Sequence, residues 1–342
     1  MVTTASPAVA DRIGLSASYF IKRQLVFLVI SLFILVLFSF IPTKYIQYIS
    51  AVGMIFSILL MILVLVHGSE TKGAKRWISL MGLSIQPSEF AKPFFVVLTG
   101  LILSKSKKIF NLKPNIVSFL LYTIVVALLF LQPDFGMIMT FSAVWSALLF
   151  LSGIPFLWIA YLLIFGIVGI MGAYFLLPHV EQRINNFLDP SISENYQITK
   201  SIAAFMNGGL TGRGPGEGVV KQHLPDSHTD FIFAVVGEEL GAIACFLIIT
   251  IYCFIFLRGI LSVSGVTDKF SAYTVVGLLL IFAMQSIINI GVTLNLMPTK
   301  GMTLPFISYG GSSMISTAIS MGIVLALTRK RFGYKLRVSN SG

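Results

Sequence analysis

Apolar residues along this chain follow neither the 3.6-residue period of a surface helix nor the alternation of a half-buried strand; they fill whole segments. Crossing about 30 Å of hydrocarbon takes roughly 17 to 25 such residues. Nine segments are of this kind: 24–41, 46–66, 88–103, 115–131, 137–153, 156–177, 231–257, 272–296 and 311–327. The pattern predicts an all-α, polytopic helical membrane protein, a single domain over 1–342 with one long extracytoplasmic loop, 178–230. Within that loop, 195–206 has the pattern of an amphipathic helix, and the glycine-rich run 208–218 follows it.

Composition sharpens this picture. Of 342 residues, 56% are hydrophobic and only 11% charged, and mean hydropathy is +0.92. A soluble domain keeps roughly a quarter of its residues charged, so soluble enzymes, nucleic-acid-binding domains and disordered chains are excluded. The 24 Lys and Arg against 13 Asp and Glu read as topogenic charge on cytoplasmic loops, and nucleic acid is not a partner. Cys245 and Cys253 lie eight positions apart on one apolar helix, about 12 Å along its axis, too far for a disulfide.

Two basic clusters set the sidedness. Lys105, Lys107, Lys108 and Lys113 form one, and Arg329, Lys330, Arg331, Lys335 and Arg337 the other, with six predicted spans between them. An even number puts both on one side, the cytoplasm by the positive-inside rule. Twelve of the thirteen acids, all but Asp268, then lie on the outer side or at its boundary. Chemistry is expected outside. Parity also puts the N-terminus outside with no span or cleavable signal before it, so a missing first helix is expected.

Polar groups in or beside a bilayer are costly and need a partner or a function. Lys72-Gly73-Ala74-Lys75-Arg76-Trp77 reads as an interfacial basic loop or as a cationic rim for an anionic lipid headgroup. In Gln86-Pro87-Ser88-Glu89-Phe90-Ala91-Lys92, the i, i+3 spacing lets Glu89 and Lys92 pair on one helical face. Gln132-Pro133-Asp134-Phe135-Gly136 makes a good turn and N-cap. Leu224-Pro225-Asp226-Ser227-His228-Thr229-Asp230-Phe231 gathers acids and a His at the water boundary, with Glu238 and Glu239 further into the next span. There a partly desolvated carboxylate can act as a general base, although Asp230 also suits an N-cap. The run 208–218 lacks the ending of a P-loop and reads as a linker. Gln285 and Asn289 share one face of an apolar span, bonding to neighbouring helices or lining a polar cavity. The segment 297–313, which contains Lys300 and Ser308, folds into the bundle, because irregular backbone is not tolerated against lipid.

These blocks, together with Pro298-Thr299-Lys300-Gly301-Met302-Thr303-Leu304-Pro305, resemble in order those of the SEDS family, the bacterial shape, elongation, division and sporulation proteins. The Thr-Lys-Gly form is similar to the division branch. The resemblance implies ten spans, the first ending in a segment similar to Thr4-Ala5-Ser6, which agrees with a truncated first helix. It implies a peptidoglycan glycosyltransferase of the cytoplasmic membrane that polymerises lipid II at the division septum. A class B penicillin-binding protein and other division proteins would be its partners.

The family's essential acid maps onto Asp230. The residues expected to meet substrate are Lys72, Lys75, Arg76, Trp77, Glu89, Lys92, Arg183, Arg213, Gln285, Asn289, Lys300 and Ser308, the cations among them for the departing pyrophosphate. No cofactor is required by this reading; a divalent cation with Asp230 as a ligand is compatible with it. A lipid II flippase and a non-catalytic scaffold for the penicillin-binding protein are the alternatives. A flippase needs charges along a path through the bilayer, whereas here the acids concentrate outside.

Overall fold

In hydrocarbon every backbone N–H and C=O must be satisfied within its own segment, so uninterrupted apolar sequence becomes helix. The computed structural model of the chain describes residues 1–12, 14, 16, 18–71, 74–80, 83–105, 109, 112–155, 157, 161, 164, 166, 168–169, 171–172, 174–175, 181, 185, 196–264, 267–298 and 301–329. Its helices are α1 (Val2–Arg12), α2 (Tyr19–Phe40), α3 (Thr43–His67), α4 (Pro87–Ser104), α5 (Pro114–Leu131), α6 (Phe135–Leu151), α7 (Tyr196–Gly208), α8 (Ile232–Val263), α9 (Lys269–Thr293) and α10 (Gly311–Thr328). Of these, α2, α3, α5, α8, α9 and α10 are long and apolar enough to cross a membrane. Helices α4 and α6 coincide with two more of the predicted segments. The remaining one, 156–177, lies for the most part outside the described residues, so the count of nine rests on sequence alone.

Helices start where their first residues favour it. Proline opens α4 and α5, where its missing N–H costs nothing. Asp134 caps α6 by accepting from the Met137 amide. Asp268 caps α9 through the Phe270 and Ser271 amides, which gives this acid a structural role.

Helices α4, α9 and α10 make up the middle of the bundle and are buried along most of their length. Phe95, Val96, Leu148, Leu278, Phe282 and Ile323 pack in their common core. Around them α2, α3, α5 and the inner part of α8 turn apolar side chains outward, among them Phe33, Phe56, Phe119 and Phe254. Such faces suit lipid. Both cysteines are free.

Between α3 and α4 the chain forms a small antiparallel sheet, β1 (Ser69–Thr71), β2 (Ala74–Leu80) and β3 (Leu83–Ile85), in the order β1-β2-β3. Trp77 pairs with Ser69 in register, and Ile78 with Ile85. The sequence read this stretch as an interfacial loop. The predicted amphipathic helix is present as α7, which buries Ile198, Ser201, Ala204 and Gly208 on one side.

Helix α8 is two helices joined at Gly241, whose backbone (φ 76°, ψ −179°) is open only to glycine. The glycine-rich run fills the break. Arg213 and Gly214 donate their amides to the Glu238 and Glu239 carbonyls at 3.0 and 2.9 Å, and Ala242 and Ile243 donate to the Gly209 and Leu210 carbonyls at 3.0 and 3.3 Å. Backbone groups released by the break are thus re-satisfied by this loop. The run is a splint across the helix, not the linker its composition suggests.

A Cβ on Gly241 would collide with the Leu210 carbonyl oxygen and the Gly212 amide. Gly241→Ala is therefore expected to lose at least about 1–3 kcal/mol of stability, the scale of a forbidden backbone conformation. Gly216→Ala, with a positive φ but open space around it, should lose less. Thermal denaturation in detergent compares the two; equal losses would show that the splint does not press on the helix.

Candidate functional site

Asp230 lies half-buried at the N-terminal foot of α8. The N-cap of that helix is Phe231, one residue on, with no side-chain cap. The Asp230 carboxylate faces the loop between α9 and α10, its Oδ2 3.5 Å from where a Cβ on Gly301 would lie.

The peptide carrying this carboxylate is held by three hydrogen bonds to its carbonyls. The Tyr309 amide donates to the His228 carbonyl at 2.8 Å. The Ser308 hydroxyl donates to the Thr229 carbonyl at 2.6 Å, and the Asn289 amide nitrogen donates to the Asp230 carbonyl at 2.9 Å. Asn289 also donates to the Met302 carbonyl at 2.6 Å, and Ser308 accepts from the Leu304 amide at 2.8 Å.

His228 forms a three-ring cluster with Phe20 and Tyr309, at centroid distances of 4.7 and 5.4 Å, the latter two rings being 5.1 Å apart. Burial pushes its imidazole pKa down, opposed by Asp226, so the ring stays neutral to a lower pH than an ordinary histidine.

A second polar cluster lies at the N-terminal ends of α4 and α6. Arg76, aimed from β2, donates to the Gln132 carbonyl at 3.2 Å and to the Pro133 carbonyl, and lies 3.7 Å from the Asp134 carboxylate. Burial pushes the Asp134 carboxyl up, and Arg76 pulls it back. Gln86 reaches the same carboxylate at 3.5 Å, and Gln132 donates to the Met61 carbonyl at 2.8 Å. Just below, Lys92 meets Glu89 at 2.7 Å. Both are buried, Lys92 to 1% exposure. Helix α10 ties this cluster to the Asp230 loop: Ser316 donates to the Glu89 carbonyl at 2.6 Å, the Gln86 amide donates to Ser312 at 3.1 Å, and Thr303 bonds to Ser313 at 2.6 Å.

The third cluster is formed by acids inside the broken helix. Glu238 accepts from the amides of Val219, Val220 and Lys221 and from the Asn207 side chain. Glu239 pairs with the buried Lys221 and accepts from the Thr4 hydroxyl at 2.8 Å. The two acids thereby hold the loop, α7 and α1 against α8. Arg213 donates to the Asn207 carbonyl and side-chain oxygen.

Of the residues expected to meet substrate, Asp230, Asn289 and Ser308 come together, and Arg76, Glu89 and Lys92 lie in the second cluster. Gln285 is buried one turn from Asn289 on α9. Lys75 is exposed and Trp77 half-buried on β2. Arg213 belongs to the third cluster, and Lys72, Arg183 and Lys300 lie outside the described residues. Sequence reasoning passed over Lys221. The signal was present: two adjacent acids inside an apolar helix require a cation, and Lys221 is the lysine nearest to them in the chain.

Comparisons with known proteins agree with this fold. Residues 1–332 match the family of FtsW, RodA and SpoVE, described as cell cycle proteins. The probable peptidoglycan glycosyltransferase FtsW of Caulobacter vibrioides is 40% identical over 330 residues, 96% of this chain and 85% of that one. The protein with the same description from Coxiella burnetii is 37% identical, over 96% of this chain and 91% of its own. Among solved structures, a chain from a peptidoglycan synthase complex that coordinates polymerization and crosslinking superposes with a TM-score of 0.77 at 28% identity, covering 97% of each chain. The rod shape determining protein RodA of Thermus thermophilus superposes with a TM-score of 0.69 at 27% identity, covering 97% of this chain and 94% of that one. The bundle, the motifs in their order and these matches make the chain a member of the FtsW/RodA/SpoVE family of multi-pass membrane proteins.

Proposed function

We infer that the chain is a peptidoglycan glycosyltransferase that polymerises lipid II at the outer face of the membrane, with Asp230 as its general base. The observation that carries this reading is a carboxylate at the N-terminal foot of a broken helix, on a peptide fastened at three consecutive carbonyls. The relatives' description as probable peptidoglycan glycosyltransferases supports it.

Polymerisation joins the 4-hydroxyl of one sugar to the anomeric carbon of another. The new carbon–oxygen bond forms as the bond to the lipid pyrophosphate breaks; the hydroxyl proton passes to Asp230, and the electron pair leaves with the pyrophosphate. A carboxylate beside the water boundary suits the proton transfer, and the leaving group needs positive charge. We assign that charge to Lys72, Lys75, Arg183 and Lys300. Arg76, Lys92 and Arg213 are already engaged within the protein and hold the frame of the site.

Among the described residues no group of three or more His, Cys, Asp or Glu side chains gathers to hold a metal. A divalent cation at Asp230 would take its other ligands from the pyrophosphate and from water. In this reading a class B penicillin-binding protein cross-links the strands beside the polymerase at the division septum, in company with other division proteins. The likeness to a chain of a peptidoglycan synthase complex supports such a partner.

The test is purified chain with its class B partner and lipid II, the product resolved by length. Glycan polymer is the expected result. Transfer of lipid II across vesicles without any polymer would replace this reading with the flippase.

A further inference from the structure

We propose that Asn289 is the positioning residue for Asp230, holding the peptide of the carboxylate and the loop between α9 and α10 as one unit. This deepens the reading of Asp230 as general base and rests on it.

Asn289 projects from α9, a helix buried along most of its length, and is itself 1% exposed. Its amide orientation is not free to choose. Two backbone carbonyls, those of Asp230 and Met302, lie 2.9 and 2.6 Å from one side-chain atom, and only the NH2 end can satisfy both. The side chain therefore bridges the foot of α8 to the loop that contains Gly301 and Met302. Both bridged loops contain a non-glycine residue in left-handed backbone, Asp226 (φ 53°) and Phe306 (φ 61°). Such conformations persist where surrounding structure over-determines them, and the bonds from Asn289, Ser308 and Tyr309 do so here.

A rigid α9 thus sets where the carboxylate stands relative to Gly301. A misplacement of about 1 Å in a catalytic group can cost 10²-fold in rate, so this bridge should act on turnover and leave substrate capture alone.

The experiment measures lipid II polymerisation by the full chain in complex with its class B partner. Asn289→Ala is expected to lower kcat about 10- to 100-fold with KM nearly unchanged, and the loss is expected to persist at temperatures well below the melting point of the variant complex. Asn289→Asp supplies a signature that mere packing would not. Ionised, the new carboxylate has no hydrogen to give and faces two carbonyl oxygens; protonated, it donates one bond. Its activity relative to the unmutated protein should therefore rise as pH falls, while the same ratio for Asn289→Ala stays flat.

Unchanged kcat in Asn289→Ala overturns the proposal. So does a loss that tracks a lowered melting temperature and recovers on cooling, or a flat pH ratio for Asn289→Asp. Asp230→Asn measured in parallel separates the two readings. If it stays active, the general-base assignment fails; if it is inactive while Asn289→Ala is fully active, only the positioning role fails.

Discussion

Asp230→Asn protein is expected to fold, insert and hold its partner while polymerising no detectable lipid II. Asparagine keeps the size of the side chain, and the backbone carbonyl of residue 230 still accepts from Asn289, so the clamp survives. The helix start survives too, because the N-cap of α8 is Phe231. What disappears is the basic oxygen. General-base assistance contributes typically about 10²- to 10⁴-fold, enough to take a slow polymerase below detection. Were position 230 only a turn residue, Asn would serve nearly as well, since both side chains accept the same backbone bonds. Polymer length and yield with purified partner decide it, and a rate within about threefold of the unmutated protein, far short of a lost general base, removes Asp230 from the mechanism. A protein acting only as a scaffold would keep its assembly role in this variant.

How much of this was legible before the structure differs by level. Helices were the most legible, because a segment in lipid has few ways to satisfy its backbone, and α2 to α6 and α8 to α10 follow the apolar runs. The break at Gly241 was not visible. Apolar sequence continues through it, and hydropathy cannot distinguish a continuous helix from two halves splinted by a distant loop. The splint itself, 208–214, looked like a linker because glycine serves flexible chain and close backbone approach equally well.

The strands at 69–85 were hidden for another reason. Two of them are three residues long, and Lys75 and Arg76 interrupt any alternation in the third. Within the site, spacing along one helix was readable: Glu89 with Lys92, and Gln285 with Asn289. Pairings between distant segments were not, and Lys221 with Glu239, or Arg76 with the turn at 132–134, needed the fold.

The Glu89–Lys92 pair offers the other large effect. Lys92 is among the largest fully buried side chains of the protein, and its ammonium finds Glu89 at 2.7 Å. Removing either partner strands a charge in a medium that solvates it poorly, a loss of about 3–5 kcal/mol. Lys92→Met and Glu89→Leu should each destabilise the protein on that scale. The double variant, in which two apolar side chains replace two charges of similar volume, should regain most of the loss, because buried pairs exchanged for packed apolar groups are often neutral. Thermal or denaturant unfolding in detergent completes the double-mutant cycle, and strictly additive losses would show that the two do not interact. Polymerisation by the double variant then separates frame from substrate contact. If stability and activity return together, the pair serves only to neutralise two buried charges within α4. If stability returns and activity does not, the charges themselves are needed at the outer site, and Lys92 regains the substrate-facing role its sequence position suggests.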